Sequence, residues 1–241
     1  SYIIDESKGS LRLINRIPTQ GGAPCHISAD PSGRHVFFAN YVGGSIGSAS
    51  VSNDGVLGLS SFSQHSGSSV LPRQKSPHAH SIDLDPSGKF IVCADLGLDR
   101  LMIYKYDSSN GKLSANDFAS AKVEPGNGPR HFAFSNDGKY GYTNNEVTSS
   151  VTAFSFDASS GKMKELQTLS TIPEEWAKKR NSTAELLMHP SGRFLYCSNR
   201  GHDSISIFRI SERDGELKFI KCVSSEGKYP WSLNMDIHGN Y

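Results

Sequence analysis

Short runs of apolar residues that alternate with polar ones recur along the whole chain. Alternation with a period of two is typical of a β-strand with one buried face. Residues 151–156 and 205–210 show this alternation most clearly. The only helical signal is a short turn predicted at Pro173, because proline favours the first position of a helix. The pattern therefore predicts an all-β protein.

One turn signal separates these strands and recurs about every 50 residues, a period typical of repeat proteins. Residues 30–33 and 85–88 both read Asp-Pro-Ser-Gly, and residues 189–192 read His-Pro-Ser-Gly. Weaker forms of the turn lie at residues 136–138 and 236–239. Proline presets the turn, and glycine takes the positive φ that other residues avoid.

Each period holds four predicted strands, with a second glycine turn before the last one. This arrangement predicts a β-propeller of four-stranded antiparallel blades. A β-sandwich is the main alternative, but sandwiches do not usually repeat their turn chemistry at so regular a period.

The chain holds four complete repeats and a fragment at each end. Residues 1–18 are predicted to be the third and fourth strands of a blade, and residues 229–241 a first strand that enters a second. Either the chain is part of a larger ring, or its ends pair and close a five-bladed ring. We favour the larger ring because Tyr241 falls inside a predicted strand. About five blades would then form one propeller domain, residues 1–241, with both ends inside a blade.

Composition narrows the classes of partner. Lys and Arg number 25 against 24 Asp and Glu, for a net charge of +1, whereas a general nucleic-acid binder needs a basic surface. No apolar run reaches the roughly 18 residues of a membrane span. We therefore expect neither nucleic acid nor a membrane as partner, and a monomer or weak homo-oligomer.

The four cysteines are Cys25, Cys93, Cys197 and Cys222. Their spacing suggests neither a zinc site nor a redox pair. Cys93 and Cys197 lie inside apolar runs, so buried free thiols are expected. With no recognisable signal peptide, this favours a cytoplasmic location.

The loops that vary in length lie on one face of the predicted propeller, and variable loops on a rigid scaffold are where sites are built. Two of the loops between blades, residues 64–77 and 173–181, are long enough to form a lid. Polar residues on the same face stand where a first strand begins or a second strand ends. They are Asn40, His80, Asp95, Arg130, His131, Asn144, Asn145, Glu146, Glu185, Asn199 and Arg200.

Arginine holds phosphate or carboxylate through paired hydrogen bonds, and a carboxylate or imidazole beside it can activate water. The cluster therefore predicts an anion-binding pocket with an acid–base group. A water-filled channel with salt-bridged walls is the alternative without a function.

Metal sites are not expected. His78 and His80 share a strand face, but the spacing offers no third ligand. A calcium site is the other alternative, for which Asn145, Glu146 and Glu185 carry oxygens that calcium would accept. A serine nucleophile is not expected either. We expect neither a metal nor another cofactor.

Several segments resemble the lactonase family of seven-bladed propellers, which includes bacterial 6-phosphogluconolactonases and a fungal carboxymuconate cyclase. These segments are Arg73-Gln74, Pro77-His78-Ala79-His80, Gly128-Pro129-Arg130-His131, Asn145-Glu146 with Ser149-Ser150-Val151, Ser170-Thr171-Ile172-Pro173-Glu174 and Ser198-Asn199-Arg200-Gly201-His202-Asp203-Ser204-Ile205. The resemblance runs from about Pro24 to Trp231. It implies seven blades in the full protein, so about two are absent here.

The resemblance carries the family's proposed active-site groups to His80, Arg130, Glu146 and Arg200. It implies metal-independent hydrolysis of a sugar-phosphate lactone, most specifically 6-phosphoglucono-δ-lactone, in the pentose phosphate pathway. Arg130 and Arg200 would hold the small anionic substrate. Glu146 is expected as the base and His80 as the proton donor to the ring oxygen, although the sequence leaves the reverse assignment open.

Further substrate contacts are expected from Arg73, His78, His131, Asn145 and Glu185. Two other functions remain open at this point. One is a carboxymuconate-type cycloisomerase, which closes a lactone instead of opening one. The other is a non-catalytic binding platform, against which the scarcity of tryptophan argues. Trp231 is expected to pack at the start of a first strand.

Overall fold

The computed structural model describes residues 1–236 and 238–239. In chain order the strands are β1 (Tyr2–Asp5), β2 (Ser10–Leu13), β3 (Pro24–Ala29), β4 (His35–Asn40), β5 (Ser45–Val51), β6 (Leu57–Gln64), β7 (Ala79–Leu84), β8 (Phe90–Asp95), β9 (Arg100–Asp107), β10 (Lys112–Lys122), β11 (Pro129–Phe134), β12 (Tyr140–Asn145), β13 (Ser150–Asp157), β14 (Lys162–Ser170), β15 (Ser182–Met188), β16 (Phe194–Arg200), β17 (Ser204–Ile210) and β18 (Leu217–Ser224). Two 3₁₀ turns cover Pro72–Gln74 and Glu174–Trp176.

Strands β3 to β18 form four sheets of four antiparallel strands, each sheet in chain order. We call these sheets blade 1 (residues 24–64), blade 2 (79–122), blade 3 (129–170) and blade 4 (182–224). The predicted four-stranded antiparallel blades are therefore confirmed. The first strands β3, β7, β11 and β15 contact one another in that order, so they form the wall nearest the propeller axis.

The two ends of the chain differ. β1 and β2 pair as a separate two-stranded sheet. Among the described residues they pair with no other strand, so the structure gives no five-bladed closure. The strand expected from residue 229 is not formed over residues 229–236. Ile237, Asn240 and Tyr241, on which the rest of that expectation depends, lie outside the described residues.

The repeated Asp-Pro-Ser-Gly turn is held by its own side chain. Asp85 accepts hydrogen bonds from the backbone N–H groups of Ser87, Lys89 and Phe90 at 2.7–3.0 Å. Gly88 has a φ of +71°, the left-handed region that favours glycine. The turn therefore closes the first two strands of a blade and belongs to the scaffold.

Apolar side chains fill the space within and between neighbouring blades. The core includes Phe37, Ile82, Phe154 and Leu195, each at most 1% exposed. Cys93 and Cys197 are buried free thiols, as the apolar runs predicted, whereas Cys25 is exposed. This packing fixes the blades against one another, so side chains at the strand ends near the axis are held on a rigid frame.

Candidate active site

The two carboxylate oxygens of Glu146 contact three guanidinium groups. Oε1 accepts a hydrogen bond from Arg73 Nη2 at 2.9 Å. Oε2 lies 3.0 Å from Arg130 Nε and 3.2 Å from Arg200 Nη2. The side chains of Arg130, Arg200 and Glu146 are only 2%, 7% and 9% exposed, so water and salt screen these attractions weakly.

Backbone contacts hold each member of this cluster. Glu146 directly follows β12, and its N–H donates to the carbonyl of Gly128 at 2.8 Å. Arg200 ends β16 and donates from Nη2 to the carbonyl of Thr183 at 2.7 Å. Arg130, in β11, donates from Nη1 to the carbonyl of Ala184. Residues from blades 3 and 4 thus meet at one point near the axis.

Arg73 reaches the cluster from the loop between blades 1 and 2. Its 3₁₀ turn is anchored by the buried Gln74, whose Nε2 donates to Leu96 O and Asp99 Oδ1, both at 2.8 Å. Arg73 Nη2 also donates to the Tyr41 hydroxyl at 3.1 Å. The loop expected to be a lid is thus tied down and carries one arginine to the mouth of the pocket.

Three histidines from three different blades lie beside the arginines. The ring centroids of His26 and His80 are each 5.4 Å from that of His131. Burial lowers the pKa of His26 to about 4 and that of His80 to about 2, and nearby positive charge on Arg130 adds to both effects. Burial also lowers the pKa of His131. All three imidazoles are therefore neutral at pH 7.

Glu185 fixes the tautomer of His131. The imidazole Nδ1 lies 2.5 Å from Glu185 Oε1, and Nε2 lies 2.9 Å from Arg130 Nη1. A guanidinium only donates hydrogen bonds, so Nε2 is the acceptor and the proton of the neutral ring sits on Nδ1. His131 thus presents a basic nitrogen beside Arg130, with a carboxylate behind the ring.

These groups line a cavity of about 640 Å³. From the predicted site it gathers Arg73, His80, Arg130, His131, Glu146, Glu185 and Arg200. The cavity is also lined by residues that were not predicted as site residues, namely Cys25, His26, Tyr41, Trp231 and Ser232. Such a cavity suits a small polar ligand.

The whole of residues 1–241 matches the family described as "Lactonase, 7-bladed beta-propeller". The chain belongs to this lactonase family. The 6-phosphogluconolactonase of Bacillus subtilis is 36% identical over 237 residues, which are 98% of this chain and 66% of that protein. The 6-phosphogluconolactonase of Formosa agariphila is 33% identical over 248 residues, covering 100% of this chain and 69% of that protein.

Two solved lactonase structures share the fold. The periplasmic gluconolactonase PpgL of Pseudomonas aeruginosa has a TM-score of 0.90 at 32% identity, over 99% of this chain and 67% of that one. A putative 6-phosphogluconolactonase of Bacteroides fragilis has a TM-score of 0.89 at 30% identity, over 100% of this chain and 67% of that one. The chain spans about two thirds of the length of these relatives, 66% for the Bacillus subtilis protein.

Two predicted substrate contacts do not line the cavity. Asn145 is fully buried, and its amide donates to the hydroxyls of Ser150 and Thr152, both at 2.9 Å. His78 stacks on Tyr41 and lies 3.0 Å from the Tyr41 carbonyl through Nδ1. The structure thus places both side chains outside the cavity lining, in contacts that hold the turns next to the site.

Trp231 also differs from expectation. Its side chain is 62% exposed, and Arg200 lies 4.3 Å from the ring centroid. A guanidinium over an aromatic face is a favourable contact. The residue expected to pack in a strand therefore forms part of the cavity wall.

The neutral histidines make the stability of this protein pH-dependent. The folded-state pKa values of His26 and His80 lie below the ordinary 6.5. Their contribution to stability is present above pH 6.5 and is lost as the pH falls towards 4, because the unfolded chain then binds protons that the folded chain does not. Each histidine contributes at most about 1.4 kcal/mol per pH unit.

Asp83 has the opposite effect on the pH dependence of stability, because burial raises its pKa to about 8. Its contribution is present at low pH and lost as the pH rises through 8, so it offsets one histidine over this range. We expect a lower thermal midpoint at pH 5 than at pH 7. In His26→Gln the difference between the midpoints at these two pH values should be smaller. A midpoint that is flat or rises towards pH 5 would refute the neutral-histidine account.

Proposed function

We propose that the protein hydrolyses the lactone of a small anionic sugar acid, with 6-phosphoglucono-δ-lactone as its substrate. The observation that carries this proposal is one cavity in which Glu146 gathers three arginines next to the His131–Glu185 pair. The arginines suit an anionic substrate, and the imidazole suits the activation of water. The names of the Bacillus subtilis and Formosa agariphila relatives support the same activity.

Arg130 and Arg200 bind the substrate in this proposal. Glu146 compensates part of their charge, and its carboxylate sets the direction of both side chains. When water attacks the lactone carbonyl, negative charge develops on the carbonyl oxygen. A guanidinium held beside that oxygen stabilises the charge without needing to reorganise. The arginines thus supply the positive charge for the reaction, which is why we propose that it needs no metal.

His131 is the proposed base, which changes the roles expected from the sequence. Both oxygens of Glu146 are engaged by guanidinium groups. His80, with its pKa near 2, is neutral and holds no extra proton to give to the ring oxygen. The lone pair of His131 Nε2 accepts a hydrogen bond from Arg130, and Glu185 orients the ring. We propose that this lone pair becomes available to water when Arg130 turns to the bound substrate, which makes His131 the base.

The proton balance needs only His131. Nε2 takes a proton from water as the water oxygen bonds to the carbonyl carbon. The bond between this carbon and the ring oxygen then breaks, and the imidazolium returns the proton to the departing oxygen. The product is a hydroxy acid, which loses its acidic proton to solvent. His80 then serves as a neutral wall of the cavity.

Other parts of the proposal concern the setting of the protein. We propose a cytoplasmic enzyme of the pentose phosphate pathway that acts as a monomer or weak homo-oligomer, with no nucleic-acid partner. No helix among residues 1–236 and 238–239 is long and apolar enough to cross a membrane. The similar structure from Pseudomonas aeruginosa is described as periplasmic, so fractionation of cells is the test of location.

A carboxymuconate-type cycloisomerase is the second candidate. The same three arginines would bind carboxylates as well as phosphate. A substrate panel separates the two functions. We expect the full-length gene product to accelerate hydrolysis of 6-phosphoglucono-δ-lactone and glucono-δ-lactone, and to leave carboxymuconate unchanged. Turnover of carboxymuconate without lactone hydrolysis would reverse the assignment, and binding of all three ligands without turnover would favour a binding platform.

A further inference from the structure

A second lobe of about 430 Å³ extends the cavity beyond Glu146. Arg73, Glu146, Arg200 and Trp231 line both lobes. The second lobe adds Arg180 from the loop between blades 3 and 4. No imidazole lines this lobe among the described residues. The two lobes thus differ in chemistry, with the base in one and an additional cation in the other.

Arg180 carries an uncompensated charge. Its guanidinium has no hydrogen-bond or ion-pair partner within residues 1–236 and 238–239. The lobe holds three arginines against the single carboxylate of Glu146, so its wall has a surplus of two positive charges. A phosphate monoester carries up to two negative charges and matches that surplus.

The loop that carries Arg180 is pinned at both ends. Thr171 donates to Asn199 Oδ1 at 2.7 Å, and Asn181 donates to the same oxygen at 3.3 Å. Gly201 has a φ of +120°, and a Cβ there would meet the Arg180 carbonyl at 2.4 Å. Only glycine at 201 lets the turn after β16 approach the backbone of Arg180 so closely.

The other cations of this loop do not line the lobe. Lys179 Nζ lies 3.8 Å from the ring centroid of Trp176, which holds it over the loop's own 3₁₀ turn. Lys178 is exposed and lines neither lobe. Arg180 is therefore the single cation that residues 173–181 contribute to the wall.

We propose that the second lobe is the subsite for the phosphate of the substrate, and that Arg180 sets the preference for phosphorylated over unphosphorylated lactones. This inference rests on the proposed lactone hydrolysis. The phosphate and the carbonyl lie at opposite ends of a 6-phosphogluconolactone molecule. With the carbonyl beside His131 and Arg130, the phosphate extends past Arg73 and Arg200 to Arg180.

The test compares Arg180→Gln with Lys178→Gln, which removes a charge from the same loop outside the lobe. We expect Arg180→Gln to lower kcat/KM for 6-phosphoglucono-δ-lactone by about 10- to 100-fold, mainly through KM, since a hydrogen bond to a charged group is lost. The value for glucono-δ-lactone should fall far less. Lys178→Gln should keep the wild-type ratio of the two, and Arg180→Lys should restore part of it.

Equal losses on both lactones, or no loss on either, would overturn the subsite. Calorimetric binding of the products 6-phosphogluconate and gluconate keeps this test independent of turnover. Wild type should prefer 6-phosphogluconate, and Arg180→Gln should lose most of that preference. Absence of the preference in wild type would overturn the subsite even where glucono-δ-lactone is hydrolysed. Failure to hydrolyse either lactone, with the preference intact, would instead contradict the proposed function.

Discussion

Replacing His131 by Gln should lower kcat for lactone hydrolysis by about 10²- to 10⁴-fold, the usual effect of removing a general base. Glutamine keeps much of the side-chain volume but has no basic nitrogen to take a proton from water. Because His131 lies in a cavity held by rigid strands, the fold should survive the change. Steady-state kinetics and a thermal midpoint measured on the same preparation separate lost chemistry from lost folding.

The control for this variant is His189→Gln, which changes a histidine in the turn after β15 that lines neither lobe. Its kcat should equal that of wild type. Glu185→Gln gives a sharper readout, because the hydrogen bond that His131 donates to Glu185 raises the pKa of His131 against the effect of burial. Its acidic limb in the kcat/KM profile should move to lower pH. An unmoved limb, or a His131→Gln enzyme of normal activity, would exclude His131 as the base.

Replacing Glu146 by Gln should both destabilise the protein and abolish most of its activity. The change leaves Arg130 and Arg200, which are 2% and 7% exposed, without their shared counter-charge. Removing one partner of a buried ion pair typically costs about 3–5 kcal/mol. We expect a thermal midpoint several degrees below that of wild type, together with a strong loss of kcat/KM because the arginines are no longer aimed.

Added phosphate tests whether Glu146 acts as the counter-charge that orients the arginines or as a general base. If Glu146 acts as the counter-charge of the cluster, a phosphate ion should bind the uncompensated arginines and raise the thermal midpoint of Glu146→Gln more than that of wild type. Asp117→Asn is a matched control, because it removes the carboxylate of a surface ion pair with Lys105. This variant should hardly change the thermal midpoint. A Glu146→Gln protein as stable as wild type would contradict the organising role.

The fold followed from the sequence because its signals are local and repeated. The backbone hydrogen bond that closes the turn at residues 85–88 recurs in all four blades, and glycine at the end of the turn is required by backbone sterics alone. The cluster of Arg130, Glu146 and Arg200 was predictable for a similar reason, because strand ends near the axis must converge. These residues depend on topology more than on detailed side-chain packing.

The directions in which individual side chains point could not be predicted from the sequence. The register of the first strands explains why. Pairing shifts between Pro129 and Phe132 in β11, and at the equivalent point of β7. Such a bulge breaks the alternation of faces, so the adjacent residues Arg130 and His131 both reach the cavity. In β12 no shift intervenes next to Asn145, and that side chain turns into the scaffold instead.

A comparison of the repeats could have predicted some of the cavity residues that were not predicted as site residues. Tyr41 follows Asn40 just as Glu146 follows Asn145, so a comparison of repeats places both at the mouth. His26 in blade 1 likewise occupies the position of His131 in blade 3. The tautomer of His131, in contrast, depends on its distances to Glu185 and Arg130, which no pattern in one sequence encodes.

We propose that this pocket opens a lactone with its own side chains. The most direct measurement follows hydrolysis of freshly prepared 6-phosphoglucono-δ-lactone by the full-length gene product at pH 7, with EDTA present, against the spontaneous rate. We predict a clear acceleration that EDTA does not change and that His131→Gln removes. A rate equal to the spontaneous one, or an acceleration that persists in His131→Gln, would contradict the account.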